Sequence, residues 1–260
     1  MTSGSIWKQM TFFAMPIFLG NLFQQLYNTV DSLIVGNFLG SSALAAVSSS
    51  GSLIFMLIGF LSGISAGAGV IVARFFGAGD EKNLQRAVHT TVAFGLVAGV
   101  LMTGVGVALS PQILRWMDTP ESVMRESVTY LQIYFAGSLG FVMYNVLVGI
   151  LQAVGDSRHP LYYLIVSSVI NLVLDLLFIT GFHTGVGGAA VATVISQIVS
   201  ALLCFWQLLR TKESYGLKIR KIRFDKGILV QIIKIGLPSG VQNSIIAFAN
   251  VIVQSNINAF

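Results

Sequence analysis

The sequence predicts an all-α integral membrane protein, and three observations support that prediction. Of the 260 residues, 55% are hydrophobic and only 10% are charged, against roughly a quarter charged in ordinary soluble domains. The mean hydropathy is +0.81. The apolar residues also cluster into runs of about 20 residues or more, the length that crosses a bilayer as a helix. A soluble domain would need more charged side chains to cover its surface, so a bilayer is the expected solvent.

Six apolar runs long enough to span a membrane divide most of the chain. They lie at residues 12–38, 47–73, 88–109, 127–150, 160–181 and 187–209. A seventh run begins near Gly227 and is still apolar at Phe260, so we expect this chain to be part of a longer protein. The predicted parts are a six-helix transmembrane lobe at 1–209, a basic cytoplasmic linker at 210–226 and the truncated first helix of a second lobe at 227–260.

The distribution of Lys and Arg predicts the orientation of these helices, because loops retained in the cytoplasm collect basic residues. Thirteen of the 15 basic residues lie on one side of the predicted bundle, and seven of them lie between Arg210 and Lys226. The opposite side has only Arg115 and Arg125. We therefore expect a multi-pass protein of the cytoplasmic membrane with its N-terminus in the cytoplasm. The net charge of +5 then reflects topology rather than a nucleic-acid partner.

A weak internal repeat relates the first and seventh apolar runs. A shift of 222 residues places Pro16 on Pro238 and Asn21 on Asn243. With six helices between them, the two segments share one orientation, as in parallel lobes related by an axis along the membrane normal. A twelve-helix parent is therefore expected. Each proline removes a helical hydrogen bond, which predicts either a hinge or a static bend.

Glycines recur every fourth residue in the second apolar run. They are Gly59, Gly63 and Gly67. This spacing puts small residues on one helix face, where another backbone can approach closely. We therefore predict a packing face rather than a phosphate-binding loop.

Two aspartates lie at membrane depth, Asp31 in the first run and Asp175 in the fifth. An ionisable group at this depth costs at least a few kcal/mol, which makes it a functional candidate. Asn171 precedes Asp175 by one helical turn and shares its face. Their oxygens suit Na⁺, and two carboxyl groups can also share a proton. Interhelical hydrogen bonding alone is the structural alternative, but neutral residues would achieve it with a smaller desolvation cost.

The first predicted helix has one polar face. At 100° per residue, its polar side chains fall within an arc of about 120°. They are Asn21, Gln24, Gln25, Asn28, Asp31 and Ser32. We expect this face to border a cavity for a small-molecule substrate, with Asn21, Gln24 and Asn28 among its lining residues.

The sequence contains no pattern of catalytic or tightly metal-binding residues. Cys204 is the only cysteine, so neither a disulfide nor a CxxC motif exists. The three histidines share no helix face. The stretch Gly63-Ile-Ser-Ala-Gly67 has the GxSxG spacing but belongs to the predicted packing face, so we expect no nucleophile elbow. We therefore expect no catalytic residues and no cofactor apart from a coupling ion. An intramembrane enzyme remains an alternative.

Five motifs resemble those of the multidrug and toxic compound extrusion (MATE) family. They are Asp31-Ser-Leu-Ile-Val-Gly36 after Pro16, Ala73-Arg-Phe-Phe-Gly-Ala-Gly-Asp80, Gln152-Ala-Val-Gly-Asp156 before Pro160, Asn171-Leu-Val-Leu-Asp175, and Gly185-Val-Gly-Gly-Ala-Ala-Val-Ala-Thr193. The resemblance covers essentially the whole chain. It points to the N-terminal half of a prokaryotic member.

The resemblance implies a twelve-helix antiporter that exchanges Na⁺ or H⁺ for organic, often cationic, compounds by alternating access. The positions that match the family's cation site are Asp31, Asn171, Asp175 and Thr193. Tyr130 and Asn145 match further cavity positions. Residues 236–260 contain no acidic residue, which is typical of the branch whose ion site is confined to the first lobe.

The expected partners are a small-molecule substrate and membrane lipids, and the complete protein is expected to be a monomer. The same superfamily contains lipid-linked oligosaccharide flippases, which are the alternative function. A flippase would need a larger and more basic cavity to bind its anionic lipid.

Overall fold

The structure is a computed structural model that describes residues 5–117 and 119–258, apart from the side chains at 6, 49, 52 and 247–258. Its α-helices are α1 (Ile6–Leu39), α2 (Ser41–Gly77), α3 (Glu81–Trp116), α4 (Glu121–Ala136), α5 (Ser138–Ala153), α6 (Arg158–Leu176), α7 (Gly185–Arg210) and α8 (Lys226–Asn258). A π-helical turn at Leu177–Gly181 extends α6, and a 3₁₀ turn at Ile219–Lys221 lies between α7 and α8. The all-α prediction is confirmed.

Four of the described helices are long and apolar enough to cross a membrane. They are α2, α3, α7, and α6 with its π-helical turn. The run predicted at 127–150 forms α4 and α5, which bend by 50° relative to each other and count as a fifth span if taken together. Helix α1 is outside this set because its amide side chains and Asp31 lower its apolar content.

The bend between α4 and α5 occurs at Gly137, where α7 approaches closely. A Cβ atom at Gly137 would lie 2.3 Å from Val194 Cγ1, which is far inside van der Waals contact. Only glycine leaves room for this approach. The bend therefore depends on a contact with another helix, which the apolar pattern of residues 127–150 does not reveal.

The outer surface of the bundle is apolar, as a bilayer requires. On α3, Val100 and Leu101 are each 61% exposed, and Val97 and Val105 are also exposed. A surface of this kind would be unfavourable in water but matches hydrocarbon chains. The exposed face of α3 is therefore assigned to lipid.

Two apolar clusters hold the helices together. One joins α2, α3, α5, α7 and α8 and encloses Leu84, Leu147 and Leu208. The other joins α1, α2, α3, α4 and α7 and encloses Val35 and Leu131. Helix α1 also packs against α6, the fifth predicted span, and Asp31 lies on the side of α1 that faces it.

The glycine face predicted on α2 packs against α8. A Cβ atom at Gly63 would lie 2.2 Å from the backbone nitrogen of Gly240, and one at Gly67 would lie 2.4 Å from Gly236 Cα. The two helices therefore meet backbone to backbone. Close approach of this kind gives dispersion contacts that larger side chains would prevent.

Replacing Gly63 by alanine is expected to destabilise the α2–α8 contact. The added methyl group cannot fit without moving one helix, so Gly63→Ala should lower the free energy of unfolding by about 1–3 kcal/mol. Denaturant unfolding in detergent micelles measures this. Gly77→Ala is the matched control, since a Cβ there meets nothing within 4 Å. Equal stability of the two variants would contradict the contact.

Candidate cation site

The carboxyl groups of Asp31 on α1 and Asp175 on α6 lie close together, on the wall of one cavity between these helices. Asp175 is completely buried. Among the described residues, the Oδ1 atoms of both aspartates are buried without a hydrogen-bond partner. Two carboxylates in contact inside an apolar bundle repel each other strongly, so a cation or a proton is needed between them. Their geometry therefore suits reversible binding of a positive charge.

Asn171 and Thr193 connect this pair to α7. In the amide orientation that satisfies both of its polar atoms, Asn171 donates to Asp175 Oδ2 over 2.8 Å and accepts from the Thr193 backbone N–H over 3.2 Å. The Thr193 hydroxyl donates to the Ala189 carbonyl over 3.0 Å. The structure thus brings together the four residues predicted for cation binding, from three different helices.

Two tyrosines lie beside the aspartates. Tyr27 lines the same cavity as Asp31, Asn171 and Asp175. Tyr130 is buried close to Asp31, although it was predicted to line the substrate cavity. Tyr27 is a site residue that the sequence prediction missed. Its position one turn before Asp31, on the same helix face, was the signal that could have found it.

A cavity of about 270 Å³ between α1 and α6 reaches the aspartate pair. Its apolar lining residues are Phe23, Leu26, Val30, Ile165, Val169 and Leu172. Asp31, Asn171 and Asp175 supply polar groups at its inner wall. The apolar walls exclude water from the carboxyl groups, which strengthens their interaction with a bound cation.

A second cavity, of about 240 Å³, lies nearer the N-terminal end of α1. Asn21 and Gln24 on α1 and Asn145 on α5 line it together, and we call it the polar cavity. That it binds a substrate stays a prediction. Its described lining residues include no charged side chain. Asn28 is exposed and is not among them. Asp31 follows Asn21 by ten residues and Gln24 by seven, so it lies about 10–15 Å from these cavity residues along α1.

Residues 16–177 match the MatE family model. The chain belongs to the MatE family. This finding confirms the resemblance that the sequence motifs indicated.

Among curated MatE relatives, the chain is 34% identical to "Probable multidrug resistance protein YoeA" of Bacillus subtilis (strain 168), over 98% of this chain and 57% of that protein. Its fold is similar to a solved structure named "Outward-facing conformation of a multidrug resistance MATE family transporter of the MOP superfamily", with a TM-score of 0.85 and 27% identity over 92% of this chain and 53% of that chain. The structure named "Inward-facing conformation of a multidrug resistance MATE family transporter of the MOP superfamily" has a TM-score of 0.80 and is 29% identical, over 87% of this chain and 51% of that chain. The chain spans about half the length of the relatives it matches. Together with its apolar helices, these similarities make it a multi-pass membrane protein.

The site of this MatE protein is chemically suited to Na⁺ or H⁺. The described residues contain no group of three or more His, Cys, Asp or Glu side chains that could hold a metal ion. Two carboxylates with neutral oxygen atoms around them fit a hard monovalent cation or a shared proton rather than a transition metal. The two unpartnered Oδ1 atoms provide the acceptors for either.

Helix irregularities occur near both the cavity and the aspartates. Helix α1 continues through Pro16, which lines the polar cavity, and α8 continues through Pro238. The π-helical turn begins two residues after Asp175. Segments of π-helix are common at functional sites because the wider turn displaces side chains. The hinge roles of Pro16 and Pro238 stay predictions.

The hydrogen bond between Asn171 and Asp175 is expected to appear as an energetic coupling. Asn171→Ala should lower the free energy of unfolding by about 1–3 kcal/mol, because a buried carboxyl oxygen loses its donor. The double variant Asn171→Ala with Asp175→Ala should lose less free energy of unfolding than the two single variants lose together. Denaturant unfolding of the four chains completes this double-mutant cycle.

Asn145→Ala with Asp175→Ala is the matched control for that cycle. Asn145 lines the polar cavity, away from Asp175, so the losses in free energy of unfolding from Asn145→Ala and Asp175→Ala should be additive. Additive costs for Asn171 and Asp175 would show that the two side chains do not interact.

Proposed function

We propose that this MatE chain carries the ion-coupling site of a transporter that exports organic, often cationic, compounds in exchange for Na⁺ or H⁺. The buried Asp31–Asp175 pair with its unpartnered oxygens supports this most directly. Relatives named as a multidrug resistance protein and a multidrug export protein support the export activity. Because the chain spans about half of these relatives, export is proposed for the complete transporter that contains it.

Repulsion between the two aspartates provides a physical basis for coupling. With a cation or proton bound, α1 and α6 stay in contact at Asp31 and Asp175. After its release, two negative charges favour a wider separation of these helices. Coupling follows because the ion binds one arrangement more tightly than the other.

Helix α1 links ion binding to the substrate. It carries Asp31 at one level and Asn21 and Gln24 at the polar cavity. A movement of α1 that follows ion binding therefore changes the shape of that cavity. Similarity to structures in an inward-facing and an outward-facing conformation supports alternating access as the result.

The proposed orientation places the N-terminus in the cytoplasm. Lys82 and Arg86 near the start of α3, Arg158 at the start of α6 and the basic segment after α7 lie at the same end of the helices. Loops of this composition are retained inside. The polar cavity then lies toward the cytoplasm and the aspartates toward the outside.

The polar cavity favours a cationic or neutral substrate over an anionic one. Its described lining offers amide and hydroxyl groups, with no Lys or Arg. A lipid-linked oligosaccharide carries a phosphate group that basic side chains would bind. Drug export is therefore the better supported function, and the flippase alternative has less support from this cavity.

Sodium ions are expected to stabilise the folded chain. At constant pH and ionic strength, Na⁺ at a hundredfold excess over its dissociation constant should add about 2.7 kcal/mol. Thermal unfolding in detergent, with choline replacing Na⁺, measures the shift. Asp31→Asn and Asp175→Asn should remove it.

Asp80→Asn is the control for this experiment, because the Asp80 side chain caps α3 outside the membrane. It should retain the Na⁺ shift. Persistence of the shift in both Asp31→Asn and Asp175→Asn would contradict the assignment of the ion site. If none of the chains responds to Na⁺, the coupling ion is H⁺ rather than Na⁺.

Export by the complete transporter should depend on Asp31. Asp31→Asn is expected to slow export of a fluorescent organic cation by at least about tenfold, because an amide binds neither ion with the required difference in affinity. The assay is run with and without a Na⁺ gradient at fixed pH, and with a pH gradient alone. Normal export by a correctly inserted Asp31→Asn protein would exclude the proposed coupling.

A further inference from the structure

The segment between α7 and α8 is held against the cytoplasmic end of α3. Gln85 donates its side-chain N–H groups to the carbonyls of Ser214 and Gly216. His89 Nε2 accepts the Lys218 backbone N–H over 3.0 Å. Further along, Thr90 Oγ1 accepts the Asp225 backbone N–H over 3.0 Å. The segment therefore has a defined position rather than forming a free loop.

These bonds place the segment at the boundary of the membrane. The Leu217 backbone N–H donates to the Leu208 carbonyl over 2.8 Å, so the chain turns back beside the last turn of α7. In this last turn of α7, Arg210 stacks on the ring of Trp206, with its guanidinium carbon 4.3 Å from the ring centroid. Trp206 is 48% exposed. An exposed Trp beside an Arg at a helix end is typical of the interface between hydrocarbon and headgroups.

Apolar residues of this segment divide into an inward set and an outward set. Leu217 is buried, and Ile222 and Tyr215 pack on the core cluster around α2, α3, α5, α7 and α8. In contrast, Ile219 is 61% exposed and Phe224 is 47% exposed. Leu217, Ile222 and Tyr215 thus occupy the positions that face the core. Ile219 and Phe224 are left facing outward at the level of the membrane interface.

The exposed apolar residues are interleaved with exposed basic residues. We call the set the linker surface, and it consists of Lys218, Ile219, Arg220, Lys221, Arg223 and Phe224. Residues 214–224 contain no acidic side chain. Asp225, which follows, points to α3, where it pairs with Arg86 over 3.7 Å. The linker surface therefore has a charge of +4 and two apolar side chains.

We propose that the linker surface docks on the headgroups of anionic phospholipids in the cytoplasmic leaflet. Basic residues beside an anionic membrane gain electrostatic energy, and apolar side chains among them enter the boundary between headgroups and acyl chains. The bonds from Gln85, His89 and Thr90 hold the segment, so binding requires little further ordering. The inference goes beyond ion-coupled export and depends on neither the coupling ion nor the substrate.

Lipid retained by the purified chain tests this inference. The full chain is reconstituted in nanodiscs with equal parts of phosphatidylglycerol and phosphatidylcholine and extracted in mild detergent, and the retained lipid is measured by mass spectrometry. We expect enrichment of phosphatidylglycerol. The triple variant Arg220→Gln, Lys221→Gln and Arg223→Gln should reduce the enrichment by at least about tenfold. High salt should reduce it in the unaltered chain, because ions screen the attraction.

A matched control removes the same charge elsewhere. The triple variant Lys82→Gln, Arg115→Gln and Arg125→Gln alters exposed residues outside the linker surface and should retain the enrichment. Equal loss in both triple variants would show a general effect of net charge and overturn the proposal. So would displacement of the lipid by free glycerol phosphate, which would indicate a site for a soluble anion.

Contact between residue 224 and anionic lipid tests the apolar part of the linker surface. Phe224→Trp should be quenched more strongly by brominated phosphatidylglycerol than by brominated phosphatidylcholine, after subtraction of the signal of the unaltered chain. This measurement uses a folded chain with all its basic residues, so it does not depend on the stability of the triple variants. Equal quenching by the two lipids would overturn the proposal.

Discussion

Contact between the carboxyl groups of Asp31 and Asp175 is the interaction on which the site depends. It lies where apolar side chains surround the carboxyl groups, so little water weakens the repulsion between two negative charges. Asn171 satisfies one oxygen of Asp175, and one oxygen of each aspartate remains without a partner among the described residues. In the proposed mechanism, a positive charge that enters this place decides whether α1 and α6 are held together or pushed apart.

Helix α1 carries residues of both cavities. Asp31 and Asn21 lie on it about 15 Å apart by the helical rise. In the proposed mechanism, a movement of α1 at Asp31 therefore reaches Asn21 and Gln24 directly. The presence of these polar residues makes α1 less apolar than α2, α3, α6 and α7.

Close backbone contacts join α2, α3 and α8. Gly63 and Gly67 allow α2 and α8 to meet at their main chains. Hydrogen bonds between the side chains of Gln85 and His89 and the main chain attach the segment before α8 to α3. This part of the molecule is thus stabilised by close packing and by side-chain-to-main-chain hydrogen bonds, whereas the aspartate pair depends on charge.

Local patterns in the sequence predicted the all-α membrane class, the helices, the glycine face of α2 and the identity of Asp31, Asn171 and Asp175. Hydropathy and the helical period are properties of neighbouring residues, so they are visible without a structure. The family motifs added Thr193. Tyr27 was available from the same helical spacing but was not recognised.

Only the tertiary structure showed that Asp31 and Asp175, which are 144 residues apart in the chain, lie in one cavity. It also placed Tyr130 at the aspartates, left Asn28 outside the polar cavity and bent the fourth span at Gly137. Each of these depends on which faces of different helices pack together. The period of a single helix shows which residues share a face, but the neighbour of that face is set by the packing of the whole bundle.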